Sequence, residues 1–179
     1  MPVTPVHCSI AYLARKINPE LSLPALLVSA MVPDLEIPFI SITSGGQYSR
    51  LVLHSLLGAA TMGTALAVII TVFLYSPIVS YVFRVDRKTV NARCRFSWSL
   101  VAVCFAGSFS HVLIDSLHHA YNPLLFPLTS VSFDAFVLMN DWILASLIIQ
   151  TTFLSMLALF VALEIKNGTK NIWKRLLLG

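Results

Sequence analysis

From Leu51 to Val82 the chain contains no Asp, Glu, Lys or Arg, and only Pro77 interrupts its apolar character. About 20 apolar residues suffice for a helix to cross a bilayer, so this run is long enough with residues to spare. Hydrocarbon offers no partner for backbone N–H and C=O groups, so a spanning segment has to be a helix or part of a closed barrel. The run is long, continuous and not alternating, which selects the helix. Two further runs of the same character follow, and the predicted spans are 51–83, 96–119 and 141–164. Only 11% of the residues are charged and 57% are hydrophobic. A soluble domain carries roughly 25% charged residues, so lipid has to cover much of this surface. The expected fold is all-α, a polytopic helical membrane bundle with three clear spans plus an N-terminal helical hairpin, in one domain over residues 1–179.

The first 48 residues are less regular. Thr4 and Pro5 predict the cap and first position of a short helix reaching Lys16. Asn18-Pro19 ends it, and Ser22 caps a second segment that runs to Pro38. The first helix is too short to cross a bilayer alone at about 1.5 Å per residue, so the pair is expected to dip into the membrane or to pack on the bundle. Met1 to Cys8 is polar and proline-rich and lacks the basic-then-apolar order of a signal peptide, so it reads as mature sequence. Residues 120–140 carry two prolines and mixed polarity and predict a folded lip or re-entrant loop. Asp141 beside Trp142 reads as an interfacial N-cap.

Orientation follows from the basic residues. Arg84, Arg87, Lys88, Arg93 and Arg95 face only Asp86 in the loop 84–95, and Lys166, Lys170, Lys174 and Arg175 populate the tail 165–179. Both segments are expected in the cytoplasm by the positive-inside rule. These residues are topology signals rather than a reading surface, and no nucleic-acid partner is expected. Cys8, Cys94 and Cys104 have no CxxC spacing, so neither a disulfide framework nor a thiolate zinc site is expected.

Histidines and acids are few, and with this orientation nearly all of those able to bind a metal fall at the extracytoplasmic ends of their segments. His111, Asp115 and His118 differ by four and three positions, which places them on one helical stripe. A histidine and a carboxylate one turn apart are able to share a divalent cation. Ionisable residues inside spans are rare and usually functional, although an interfacial helix end would also solvate them. Arg50 and His54 stand one turn apart again, with His54 deeper in the apolar run. Arginine at the mouth of a metal site commonly holds a phosphate or carboxylate, and its other use is as an interfacial anchor. Asp34 and Glu36 follow Pro33 in an apolar context, where both face a cavity if the backbone is a helix end or extended turn.

Four blocks, in this order, carry a resemblance: Thr4-Pro5-Val6-His7; Pro33-Asp34-Leu35-Glu36; Arg50-x3-His54-Ser55-Leu-Leu-Gly58; and Gly107-Ser-Phe-Ser110-His111-Val-Leu-Ile-Asp115-Ser116-x2-His119. Pro123 to Pro127 follows them. The chain resembles the membrane-bound metal-dependent hydrolases of the YdjM-like group. That resemblance implies His7, Asp34, His54, His111 and Asp115 as metal ligands. The family pattern favours His119 as a further ligand, whereas helical spacing favours His118.

The expected function is a membrane-embedded metal-dependent hydrolase. Its substrate would be a lipid or other amphiphilic phosphoester or ester, cleaved by a metal-activated water. Imidazole and carboxylate ligands suit zinc, with manganese or iron as alternatives. In this reading Glu36 is the candidate general base and Arg50 the candidate anion holder, with the site near the extracytoplasmic leaflet. The rival is a non-catalytic metal-binding or cation-transporting membrane protein. A transporter needs access from both faces, and the cytoplasmic halves of the spans are poor in polar groups.

Overall fold

The structure is a computed structural model that describes residues 7–179. Every regular element among those residues is helical. The predicted cap and helix start at Thr4 and Pro5 lie outside the described residues. Helix α1 (Cys8–Ile17) ends with Arg15 and Lys16 in its last turn. Helix α2 (Leu23–Ser29) begins at Ser22, whose hydroxyl accepts from the Ala25 N–H at 3.4 Å and donates to the Arg93 carbonyl at 2.9 Å. A 3-10 turn (Val32–Leu35) and helix α3 (Glu36–Thr43) continue the path after a bend of 42°. Proline at position 33 has no N–H to give an α-helix, which is a physical reason for the break there. The sequence-level hairpin is therefore a short helix followed by a bent pair, which by length and composition is a broken span or a re-entrant loop.

Three helices are long and apolar enough to cross a membrane: α4 (Leu56–Phe83), α6 (Trp98–Asp115) and α7 (Trp142–Lys166). Helix α4 starts five residues later than its apolar run. Ser55 caps it, accepting from the Gly58 N–H at 2.9 Å. The preceding N–H groups of Leu51, Leu53 and His54 are held by the Glu36 carboxylate instead of by helix carbonyls. Within α4, Ala59–Gly63 and Ile70–Tyr75 are π-helical. The second π stretch leads directly into Pro77, where a local change of winding accommodates the missing donor. Arg84 ends the helix in the left-handed conformation at φ 54°. Ser97 caps α6 by accepting from the Leu100 N–H at 3.1 Å. Asp141 caps α7 by accepting from Ile143 and Leu144 at 2.9 and 3.1 Å.

Helix α6 is the central post. Helices α2 and α4 pack along it, and α1 packs on α7. Gly107 makes the α2 contact possible, because a Cβ there would stand 1.8 Å from the Ser29 hydroxyl. Leu23, Ala25, Val32, Leu100 and Cys104 form the core of that contact. At the basic end lie helix α5 (Arg87–Arg93) and a terminal helix α8 (Ile172–Leu178). The tail was expected only as a basic segment, yet Leu176 and Leu178 are buried and α8 folds back on the bundle. At the other end, residues 120–140 fold over the helix termini. Leu56 donates to the Leu124 carbonyl at 3.0 Å, and Leu138 to the Leu117 carbonyl at 2.9 Å.

Candidate metal centre

The non-basic end of the bundle gathers side chains from every segment that was singled out in the sequence. Helix α6 delivers His111 and Asp115, the turn before α4 delivers Arg50 and His54, and the 3-10 turn delivers Asp34. His7 arrives at the start of α1. All six are buried. Helix α6 stops at Asp115, so His118 and His119 do not continue its stripe. A tight turn, in which both N–H groups donate to the Asp115 carbonyl at 3.1 and 3.0 Å, returns both rings toward the Asp115 side chain.

Four ligand atoms form the tightest group. His54 Nε2 lies 3.4 Å from Asp34 Oδ1 and 3.5 Å from Asp115 Oδ2. His111 Nε2 lies 3.5 Å from Asp34 Oδ1 and 3.4 Å from Asp115 Oδ2. None of these four atoms has a hydrogen-bond partner. Stripping water from a carboxylate without replacing its hydrogen bonds costs several kcal/mol, and here only the imidazole nitrogens and, for Asp115, the Arg50 guanidinium stand where water would have been. Donor atoms about 2.1 Å from a tetrahedral ion stand about 3.4 Å apart. The spacing and the missing partners both fit a divalent ion.

The other ring nitrogens are already engaged. His54 Nδ1 meets Glu36 Oε1 at 2.8 Å, and His111 Nδ1 meets the Ala30 carbonyl at 2.7 Å. A neutral imidazole that donates from Nδ1 presents its Nε2 lone pair outward, the usual second layer of a histidine metal site. Glu36 also accepts from the N–H groups of Leu51 and Leu53 at 2.8 Å each and of His54 at 3.2 Å. Its carboxylate is thereby tied to the loop that carries His54. This orienting place differs from the general-base role expected for it, since both of its oxygens are already occupied by donors. Arg50 Nη1 stands 3.3 Å from Asp115 Oδ2, beside the group of four rather than at an open mouth.

A second set faces the other oxygen of Asp115. His7 Nε2 lies 3.4 Å from Asp115 Oδ1, His119 Nε2 3.5 Å and His118 Nε2 4.0 Å. His118 Nδ1 meets the Ile114 carbonyl at 2.9 Å, again leaving Nε2 outward. Burial, with the neighbouring His119 ring, pushes the pKa of His118 down to about 4. Burial also lowers that of His119, against the opposing pull of Asp115. Both shifts favour the neutral ring, the form that binds metals. Both rings therefore stand at Asp115, with His119 the nearer of the two.

The sequence model of the YdjM inner membrane protein family matches residues 3–177. The chain belongs to that family. As a YdjM-family chain it is an inner membrane protein, in keeping with its three spanning-length apolar helices. Neither a curated protein nor a solved structure matches it.

Three contributors at the YdjM-family site had not been assigned a part in it from the sequence. The Ala30 carbonyl is one, because a backbone acceptor leaves no mark in side-chain identity. The others are Gly107 and Gly58, whose absent side chains admit Ser29 and the Val52 carbonyl. A Cβ on Gly58 would stand 1.7 Å from that carbonyl oxygen. A glycine in the middle of a helical pattern is the one signal that pointed to them.

Proposed function

We propose that this protein is a membrane-embedded metal-dependent hydrolase that acts on a lipid or amphiphilic phosphoester or ester. The observation that carries this reading is the set of four buried ligand atoms of Asp34, His54, His111 and Asp115, none with a hydrogen bond, in which each imidazole Nε2 stands 3.4–3.5 Å from an oxygen of each aspartate. Zinc suits two imidazoles and two carboxylates, and manganese or iron suits the same set. Asp34, His54, His111 and Asp115 would hold such an ion, and its chemistry there would be polarisation of an ester or phosphoester and a pKa of about 7 for water.

The chain's own residues do the rest. Glu36 fixes the tautomer and the angle of His54, and the Ala30 carbonyl does the same for His111. Arg50 balances the charge of Asp115, and its guanidinium has five donors, enough to keep that contact and also bind an anionic substrate group. The burial of Asp34, His54, His111 and Asp115 keeps bulk water from competing. The basic loop and tail occupy the opposite end of the bundle, which by the positive-inside rule supports a centre near the extracytoplasmic leaflet. A substrate reaching it there arrives from the lipid or its headgroup layer, which favours an amphiphile.

The test is metal content by mass spectrometry on tag-free protein in detergent, wild type beside His111→Ala and Asp115→Ala. Stoichiometric zinc, manganese or iron that is lost in both folded variants supports the metal centre. Release of phosphate or fatty acid from lipid vesicles by wild type alone then supports the hydrolase. Wild type without metal, prepared at neutral pH without chelator, overturns the reading.

A further inference from the structure

Asp115 faces two ligand sets with two different oxygens. Oδ2 looks toward His54 and His111 together with Asp34, whereas Oδ1 looks toward His7, His118 and His119. Both oxygens are buried and without a hydrogen bond. An ion within the first set satisfies Oδ2 and leaves Oδ1 bare among three imidazoles. Asp115 is 3% exposed and His118 1% exposed, so bulk water is not at hand to supply the missing partner. The ligand atoms of Asp115, His118 and His119 lie within 4.8 Å of one another, as do those of the first set. His118 is turned to present Nε2 by its contact with the Ile114 carbonyl.

We propose that the centre is dinuclear, with the Asp115 carboxylate bridging two divalent ions, one in each set. The inference rests on the metal-site reading above and adds a second ion to it. It also narrows the substrate. Asp34, Glu36 and Asp115 against Arg50 leave the group two negative charges, which one divalent ion neutralises. A second ion turns the centre into a net dication in a low-dielectric setting, where an anionic ligand is needed for balance. Two ions a few ångströms apart are the arrangement that clamps the oxygens of a phosphoryl group during displacement. The dinuclear centre therefore favours a phosphoester over a carboxylic ester.

The experiment counts ions in tag-free wild type and in a His118→Ala/His119→Ala double variant, with circular dichroism as the check on folding. Manganese-loaded wild type is examined alongside by electron paramagnetic resonance. Two ions per chain in wild type, one in the double variant, and a spin-coupled manganese pair in wild type support the bridge. One ion in wild type that persists in the double variant overturns the bridge and leaves the single-ion hydrolase standing. No ion in either protein overturns both. If the double variant fails to fold, the wild-type spectrum decides alone: a coupled pair supports the bridge, and an isolated six-line manganese signal overturns it.

Discussion

The two ends of the bundle treat their buried ionisable and phenolic groups differently. At the basic end Arg175, Tyr12 and Tyr75 are each matched. Arg175 donates to the Glu164 carboxylate at 2.6 Å and to the carbonyls of Glu164, Lys170 and Gly168. Tyr12 and Tyr75 donate to the carbonyls of Leu176 and Leu177 at 2.8 Å each, which fastens α8 across the helix ends. At the other end, Asp34, Asp115, His54, His111 and His119 each carry at least one buried atom with no partner. A matched polar group is an ordinary structural contact worth about 1 kcal/mol, whereas an unmatched buried one costs more than that. The first end is built for stability. The second holds a destabilising arrangement that a ligand would relieve.

Five substitutions would break or sharpen that contrast. The largest effect is expected from Asp115→Ala, which removes a ligand shared by both sets: metal content should fall to background while helicity is retained. Retention of full metal would show that the unmatched atoms are not ligands. Next is Glu36→Gln, which keeps the shape but weakens the hold on His54. Loss of a partner of this kind typically costs 10–100-fold in metal affinity, read by competition with a chelator of known affinity. A smaller, purely steric effect is expected from Gly107→Ala. Separating α2 from α6 should destabilise the fold by about 1–3 kcal/mol and also weaken metal binding, because the Ala30 carbonyl moves away from His111.

The smallest effect is the most discriminating. Asp34→Asn removes a bare buried charge, so the metal-free protein should gain a few degrees of thermal stability while the metal-loaded protein loses stability. Arg175→Ala at the opposite end should do the reverse, lowering the melting temperature by a few degrees with metal content unchanged. Thermal melts with and without chelator read both. If Asp34→Asn destabilises the metal-free protein as well, its carboxylate is structural and the contrast between the ends fails.

Much of the architecture was legible because hydropathy acts over long windows. The three spans appear where apolar runs of sufficient length occur, and Ser22 and Asp141 cap helices as their local patterns indicated. Helix ends were less legible. The run from Leu51 continues smoothly into α4, and nothing local shows that Glu36, 15 residues away, takes the N–H of Leu51 for itself. The return of α8 was hidden for a similar reason. Basic residues mark the tail in the sequence, while Leu178 becomes a core residue only by packing with Tyr75, Val79, Val90 and Cys94.

At the site, residue type and spacing were sufficient to single out the side chains that the fold brings together. Histidine and aspartate are costly in an apolar chain, so wherever they stand they call for a reason, and the family resemblance pointed to the same set. Roles were another matter. Whether Glu36 acts as a base or as an orienting partner depends on what occupies its oxygens, and whether His118 or His119 approaches Asp115 depends on where α6 stops. The sequence by itself determined that this is a helical membrane bundle with a His/Asp cluster at one end, because hydrophobic length and charge bias act locally. Only the tertiary structure decided that Asp115 turns one oxygen to each of two histidine sets, because that division comes from side chains meeting across five separate segments.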